Sequence, residues 1–108
     1  MMNWTVEALN DEVATEIAAL PTDMRAKLEH ISAMIVSFGL ERMREPYVKH
    51  LQDSLWEMRL VGRDGIARAI YVTATGKRVV IVRAFRKKTQ KTPRSEIILA
   101  LKRAKEVK

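Results

Sequence analysis

The residues best equipped for chemistry in this sequence are its cations. One segment reads Arg83-Ala84-Phe85-Arg86-Lys87-Lys88-Thr89-Gln90-Lys91-Thr92-Pro93-Arg94. Besides Arg83 it carries Arg86, Lys87, Lys88, Lys91 and Arg94, and Thr89 and Gln90 add uncharged donors and acceptors. The segment leads into a helix start, where free backbone N–H groups already favour an anion. Such a loop suits phosphate oxygens better than an apolar ligand, although the same composition also describes a solvated loop with a good helix cap. Upstream, Arg59 and Arg68 fall on two β-patterned stretches joined by a short turn. If both project from one concave sheet face beside the 85–91 loop, they can clamp a phosphate and stabilise the extra charge of a phosphorane-like transition state. Arg59 shares its face with Glu57 and could instead form an ion pair with it. The face that Arg68 takes depends on hairpin register, which the pattern leaves open.

The wider charge distribution agrees with a polyanion-facing surface. The formal net charge is +7, and it is segregated along the chain. Residues 1–57 hold 10 acidic and 5 basic side chains, whereas residues 58–108 hold 15 basic and only 3 acidic ones. Such segregation places a strong positive field over one surface, and phosphate backbones are the commonest partners of such a field. The chain has no cysteine, which excludes disulfides, thiolate metal sites and a cysteine nucleophile. With His30 and His50 as the two histidines, no histidine-rich metal site is expected, and no cofactor. The apolar runs are too short to span a membrane, and the opening residues lack the basic start and apolar core of an export signal. A cytoplasmic setting without membrane association is therefore expected.

The elements that must position these cations can be read from periodicity. Residues 3–9 alternate as a short strand does. Asn10-Asp11 can cap a helix whose apolar face is Val13, Ile17 and Leu20, and Pro21-Thr22-Asp23 interrupts and restarts it. Met24, Leu28, Ile31, Ile35 and Phe38 then recur at spacings of four and three, predicting a strong amphipathic helix that stops at Gly39. Residues 40–53, broken by Pro46, read as an irregular connection. Leu55 to Val61 alternates, with Trp56, Met58 and Leu60 on the face that helices should cover. Gly62-Arg63-Asp64-Gly65 is a turn. A strand over residues 66–73, a turn at Ala74-Thr75-Gly76-Lys77, and a β-branched strand from Arg78 to Phe85 follow. Thr92 is placed as the N-cap of a last helix with Pro93 in its first turn, and Ile97, Leu101 and Ala104 line its inner face. The order β-α-α-β-β-β-α predicts a single α+β domain over residues 1–108. In it an N-terminal helical hairpin packs on a curved antiparallel sheet, followed by a C-terminal helix, with the helices on one face.

Taken together, Leu55-Trp56-Glu57-Met58-Arg59, then Arg68-Ala69-Ile70-Tyr71, then Phe85 to Pro93 with Glu96-Ile97, resemble the phage-derived HigB branch of the RelE/ParE toxin superfamily. The Phe85–Pro93 segment is the specific part, and the element order agrees over nearly the whole chain. The resemblance implies a type II toxin, an endoribonuclease that cuts messenger RNA on the ribosome and halts translation. It also implies a neutralising antitoxin, a helix-turn-helix protein encoded next door. The implied chemistry is metal-free: the ribose 2′-hydroxyl attacks the adjacent phosphate and the 5′-oxygen leaves. Carried over by position, Arg59, Arg68, Lys87 and Lys88 are the expected catalytic cations, with Arg68 stabilising the phosphate. Arg83, Phe85, Arg86, Gln90, Lys91 and Arg94 are the expected RNA-binding residues. Phe85 could stack on a base or pack in the core. Some relatives place a tyrosine, or an Asp/His pair, near the final helix; here that helix carries Ile97 and Ile98. His50 precedes the strand bearing Arg59 and could approach the site or stay solvated. Two other activities fit the same superfamily, a gyrase poison of the ParE type and an inactive, antitoxin-binding regulator.

Overall fold

The computed structural model describes residues 3–87 and 90–108. A first strand, β1 (Thr5–Ala8), leads into two helices, α1 (Asp11–Ala18) and α2 (Thr22–Phe38). A single 3-10 turn (Leu40–Arg42) precedes β2 (Val48–Gln52), β3 (Leu55–Gly62), β4 (Gly65–Ala74) and β5 (Arg78–Lys87), and α3 (Arg94–Ala104) ends the fold. The strands form one sheet in the order β1-β5-β4-β3-β2.

Local chemistry explains most boundaries. The Asn10 side chain accepts a 3.0 Å hydrogen bond from the Val13 amide, capping α1. Pro21 separates α1 from α2, and Gly39 ends α2 at φ +89°, a backbone state that favours glycine, with its N–H bonded to the Ile35 carbonyl. Met24, Leu28, Ile31 and Ile35 are the buried stripe of α2, as their spacing requires. Phe38, expected to extend that stripe, is exposed instead. The β3–β4 hairpin closes through Arg63-Asp64 between paired Gly62 and Gly65. The Asp23 carboxylate accepts a 2.6 Å bond from the Arg63 amide, which fastens the hairpin tip to the start of α2.

The α+β class, the helical hairpin on the sheet and the terminal helix stand as the sequence indicates, with three refinements. The sheet is mixed, because β1 runs parallel to β5 while the other pairs are antiparallel. A fifth strand, β2, lies within the stretch read as an irregular connection; its five residues carry too little alternation to announce it. The helices also divide between the two faces of the sheet. Helices α1 and α2 cover Met58, Leu60, Ala67, Ala69, Tyr71, Val79, Ile81 and Ala84. Helix α3 covers Leu55, Ile70, Val72, Val80 and Val82. A strand as apolar as Val79-Val80-Ile81-Val82 is buried on both faces and needs cover on both.

One irregularity decides what the α3 face displays. Ile70 pairs with Arg83 and Tyr71 with Ile81, so Val82 has no cross-strand partner. This β-bulge advances the alternation of β5 by one residue. Beyond it, Ala84 faces α1 and α2, whereas Phe85 and Lys87 share the α3 face with their partners Arg68 and Ile66.

Gly62 is tightly enclosed: a Cβ there would lie 2.7 Å from the Asp23 carboxylate and 2.8 Å from Met24 Cγ. Gly62→Ala is expected to destabilise the fold by about 1–3 kcal/mol, the usual cost of overpacking. Thermal unfolding measures this, and it should show a lowered midpoint.

Candidate functional site

Helix α3 covers only part of its face of the sheet. Toward the Gly62–Gly65 hairpin end, that face carries a group of cations around one buried carboxylate. Arg59 and Arg68 stand directly opposite each other across β3 and β4. Lys49 pairs across strands with Glu57, two residues before Arg59 on the same face. Lys87 joins them from β5. Like charges directly opposite on neighbouring strands destabilise a sheet, so the arrangement needs a compensating anion, and Glu57 supplies it.

Glu57 is completely buried, and Arg68 retains only 6% of its exposure. Arg68 Nη1 forms an ion pair with Glu57 Oε2. The other carboxylate oxygen accepts a 2.8 Å hydrogen bond from the Thr92 hydroxyl. Arg68 Nη2 also donates to the Gln90 carbonyl at 3.4 Å. Thr92 is thus not the helix cap that its position suggests. Pro93 occupies the N-cap position of α3 without a side-chain bond, and the Thr92 hydroxyl serves Glu57 instead. On this face two buried donors, Arg59 Nε and Arg68 Nε, have no hydrogen-bond partner among the described residues.

The electrostatics follow from this crowding. Desolvation pushes the Arg68 guanidinium below its usual pKa. The Lys87 ammonium is lowered as well, first by partial burial and then by repulsion from Arg68, Arg59 and Lys49. An ammonium with a lowered pKa gives up its proton more readily, and a fixed guanidinium stabilises negative charge at any working pH.

The structure brings Arg59, Arg68 and Lys87 together on one face and adds Lys49, Glu57 and Thr92 to them. Glu57, which its position suggests as a partner for Arg59, pairs with Arg68 instead. Gln90, Lys91 and Arg94 are exposed along the loop and first helical residue bordering the site. Lys88 and Thr89 lie outside the described residues. The remaining expected RNA contacts are placed otherwise. Phe85 is 8% exposed and packs in the core beneath α3, so it offers no ring for base stacking. Arg83 gives two bonds to Glu96, of 2.6 and 3.0 Å, and an ion pair of 3.0 Å to Glu16, so carboxylates from α3 and α1 already occupy it. Arg86 is exposed, but its partner Ala67 puts it on the α1–α2 face, where it donates to the Asp64 carbonyl at 2.7 Å. His50 is turned away from the cations as well; it accompanies Trp56 on the opposite face, with ring centroids 5.0 Å apart.

A second charge network fastens this frame. Arg103, buried on α3, donates to the Val82 carbonyl at 2.9 Å and pairs with Glu16 and Glu12 of α1. Glu16 also accepts from the Ala84 amide at 3.2 Å. Side chains from both helices therefore satisfy the part of the β5 edge that lies beyond the end of β1. Burial alone would raise the Glu16 pKa, but bonds from Arg103 and Ala84 and the nearby guanidinium charges hold it below the usual carboxylate value.

Residues 15–105 match the family model described as "Phage derived protein Gp49-like (DUF891)". The chain belongs to this Gp49-like family. Its fold is that of RelE toxins. It superposes on a mutant of the E. coli toxin RelE in the free state with a TM-score of 0.66 and 18% identity, covering 94% of this chain and 98% of that one. It also superposes on the archaeal RelE–RelB complex from Pyrococcus horikoshii OT3 with a TM-score of 0.53 and 19% identity, covering 79% and 96% of the two chains. No curated protein matches the sequence. Among the described residues of this Gp49-like chain, no helix is long and apolar enough to cross a membrane, and no three His, Cys, Asp or Glu side chains are grouped to hold a metal.

The Lys87 amine should titrate below the 10.5 of an ordinary lysine, and Arg59→Met should move it upward by removing one repelling charge. Side-chain NMR titration reads both. The sign for stability follows. The folded pKa lies below the unfolded one, so between them the unfolded chain binds more protons, and Lys87 contributes stability that rises with pH across that window.

Proposed function

We propose that this protein is the toxin of a type II toxin–antitoxin system, of the HigB kind, and that it cuts messenger RNA on the ribosome without a metal ion. The observation that carries this reading is the cationic face formed by Arg59, Arg68 and Lys87 at the open end of the sheet. A phosphodiester in flight to products gains negative charge, and pre-set cations stabilise it more than they stabilise the ground state. Arg59 and Arg68 hold the phosphate oxygens. The ribose 2′-oxygen forms a bond to phosphorus as its proton passes to solvent water, and the bond to the 5′-oxygen breaks. Lys87, its pKa lowered by its neighbours, delivers a proton to that leaving oxygen, so the products are a cyclic phosphate and a 5′-hydroxyl. Lys88 assists as a further charge. Gln90, Lys91 and Arg94 bind the flanking RNA backbone. Folding as RelE does, a chain solved elsewhere in complex with RelB, supports a proteinaceous antitoxin partner; we assign that role to a helix-turn-helix protein encoded beside it. Its place of action is the translating ribosome in the cytoplasm.

Induction without an antitoxin should arrest growth, with messenger RNA cut only when it is being translated. Arg59→Ala and Lys87→Ala should each lower cleavage about 10²-fold, the usual effect of removing one group that stabilises the transition state, while circular dichroism stays unchanged. Inhibition of gyrase supercoiling with intact messenger RNA would favour the poison of the ParE kind instead. Normal growth with soluble, folded protein would favour the inactive regulator.

A further inference from the structure

The catalytic face contains one group that works against its charge. A carboxylate among Lys49, Arg59, Arg68 and Lys87 lowers the attraction of this surface for RNA. It is also an unneeded way to gain stability, since a buried ion pair is often no more stable than well-packed apolar residues of the same volume. Its geometry gives a different reason for its presence. Arg68 has five N–H donors in a rigid plane. Glu57 takes one terminal nitrogen and the Gln90 carbonyl takes the other. The Nε of Arg68 is left without a partner among the described residues, as is the Nε of Arg59 directly across the hairpin. Buried donors left unmade are costly, and each asks for an explanation. Both are covered in the free protein, so a phosphate reaches them only when that cover opens; on arginines that face each other they can then receive the oxygens of one phosphate.

We propose that Glu57 is a positioning residue, whose carboxylate, held by Thr92 on one side, fixes the Arg68 guanidinium so that its unpaired Nε edge and that of Arg59, once uncovered, together receive one phosphodiester of the RNA strand. The proposal rests on the RNA-directed reading and assigns that site its orienting group. Thr92 adds a coupling. It lies at the end of the basic loop, and its 2.8 Å bond to Glu57 ties the path of that loop to the orientation of Arg68. A loop displaced by a partner protein therefore also frees the guanidinium. The lowered pKa of Lys87 fits the same geometry, because a fixed Arg68 is one of the charges that repels it.

The test uses Glu57→Gln, which keeps the size and the acceptor for Thr92 but removes the charge. Inorganic phosphate is titrated into the arginine-labelled protein while the side-chain Nε–H signals of Arg59 and Arg68 are followed by NMR. In the wild type both signals should be distinct and should shift with phosphate. In Glu57→Gln the Arg68 signal should move to the position of a solvated arginine and stop responding, while Arg59 still responds. In ribosome-dependent cleavage, the variant should lose about 10²-fold in kcat, as a misplaced group does, with KM within about threefold. A merely structural role predicts instead a loss that follows the folded fraction. Should Glu57→Gln fold poorly, Thr92→Val, which removes only the hydroxyl, should show the same NMR change and a loss of about tenfold in kcat. An Arg68 signal that responds to phosphate equally in wild type and variant would overturn the proposal, as would phosphate that shifts neither arginine in the wild type. A wild type that binds phosphate at both arginines but cleaves no messenger RNA would sink the functional reading and leave the role of Glu57 standing.

Discussion

The buried ion pair between Glu57 and Arg68 is the constraint on which the rest of the site depends. Sheet pairing sets Arg59 opposite Arg68, and the bulge at Val82 turns Lys87 to the same face. Three cations so placed repel one another in surroundings less polar than water. Glu57 offsets part of that repulsion, and Thr92 and the Gln90 carbonyl complete the polar contacts. Removing one partner of such a pair is far worse than never having built it, because the other is left buried and charged. The pair therefore fixes several elements at once: the register of β3 on β4, the approach of the segment before α3, and the orientation of the one nearly buried arginine on the face.

Contacts from both helical layers brace the frame around this pair. Helices α1 and α2 cover one face of the sheet and α3 the other, with Arg103 and Arg83 reaching Glu16 and Glu96 around the edge of β5. These bridges hold the strand that carries Lys87 against both layers. In the proposed reaction, cations held in this way are pre-organised to stabilise developing charge. The same economy explains why Arg83 and Phe85, although they belong to the basic segment, are spent on architecture.

Much of the fold was legible because its signals are local. The spacing of Met24, Leu28, Ile31 and Ile35, the Asn10 cap, the stop at Gly39 and the β-branched run of β5 each report their own element. The parallel pairing of β1 and the short strand β2 were not legible, since they arise from contacts distant in sequence and from a strand with little alternation. The site divides in the same way. Arg59 and Arg68 could be placed on neighbouring strands from the hairpin pattern, and the structure puts them on one face. The bulge at Val82 carries no sequence mark, and without it Arg86 rather than Lys87 would share that face. Lys49 was hidden in the stretch read as a connection. Thr92 looked like a cap, because a threonine before a proline at a helix start is a common cap pattern; its diversion to Glu57 is a tertiary contact. The Glu57 pairing was similarly hidden, because adjacency to Arg59 along the strand suggested the wrong partner.

The central claim is that one phosphate is received between Arg59, Arg68 and Lys87. Its most direct test is a crystal structure with a short 2′-O-methyl RNA, which cannot be cleaved because its 2′-oxygen is blocked. The account predicts a phosphate within hydrogen-bonding distance of the Nε atoms of Arg59 and Arg68 and near the Lys87 amine, with the Glu57–Arg68 pair intact. A phosphate bound only elsewhere, for instance along Lys102 and Lys105 of the C-terminal helix, with the arginines unoccupied, would contradict it.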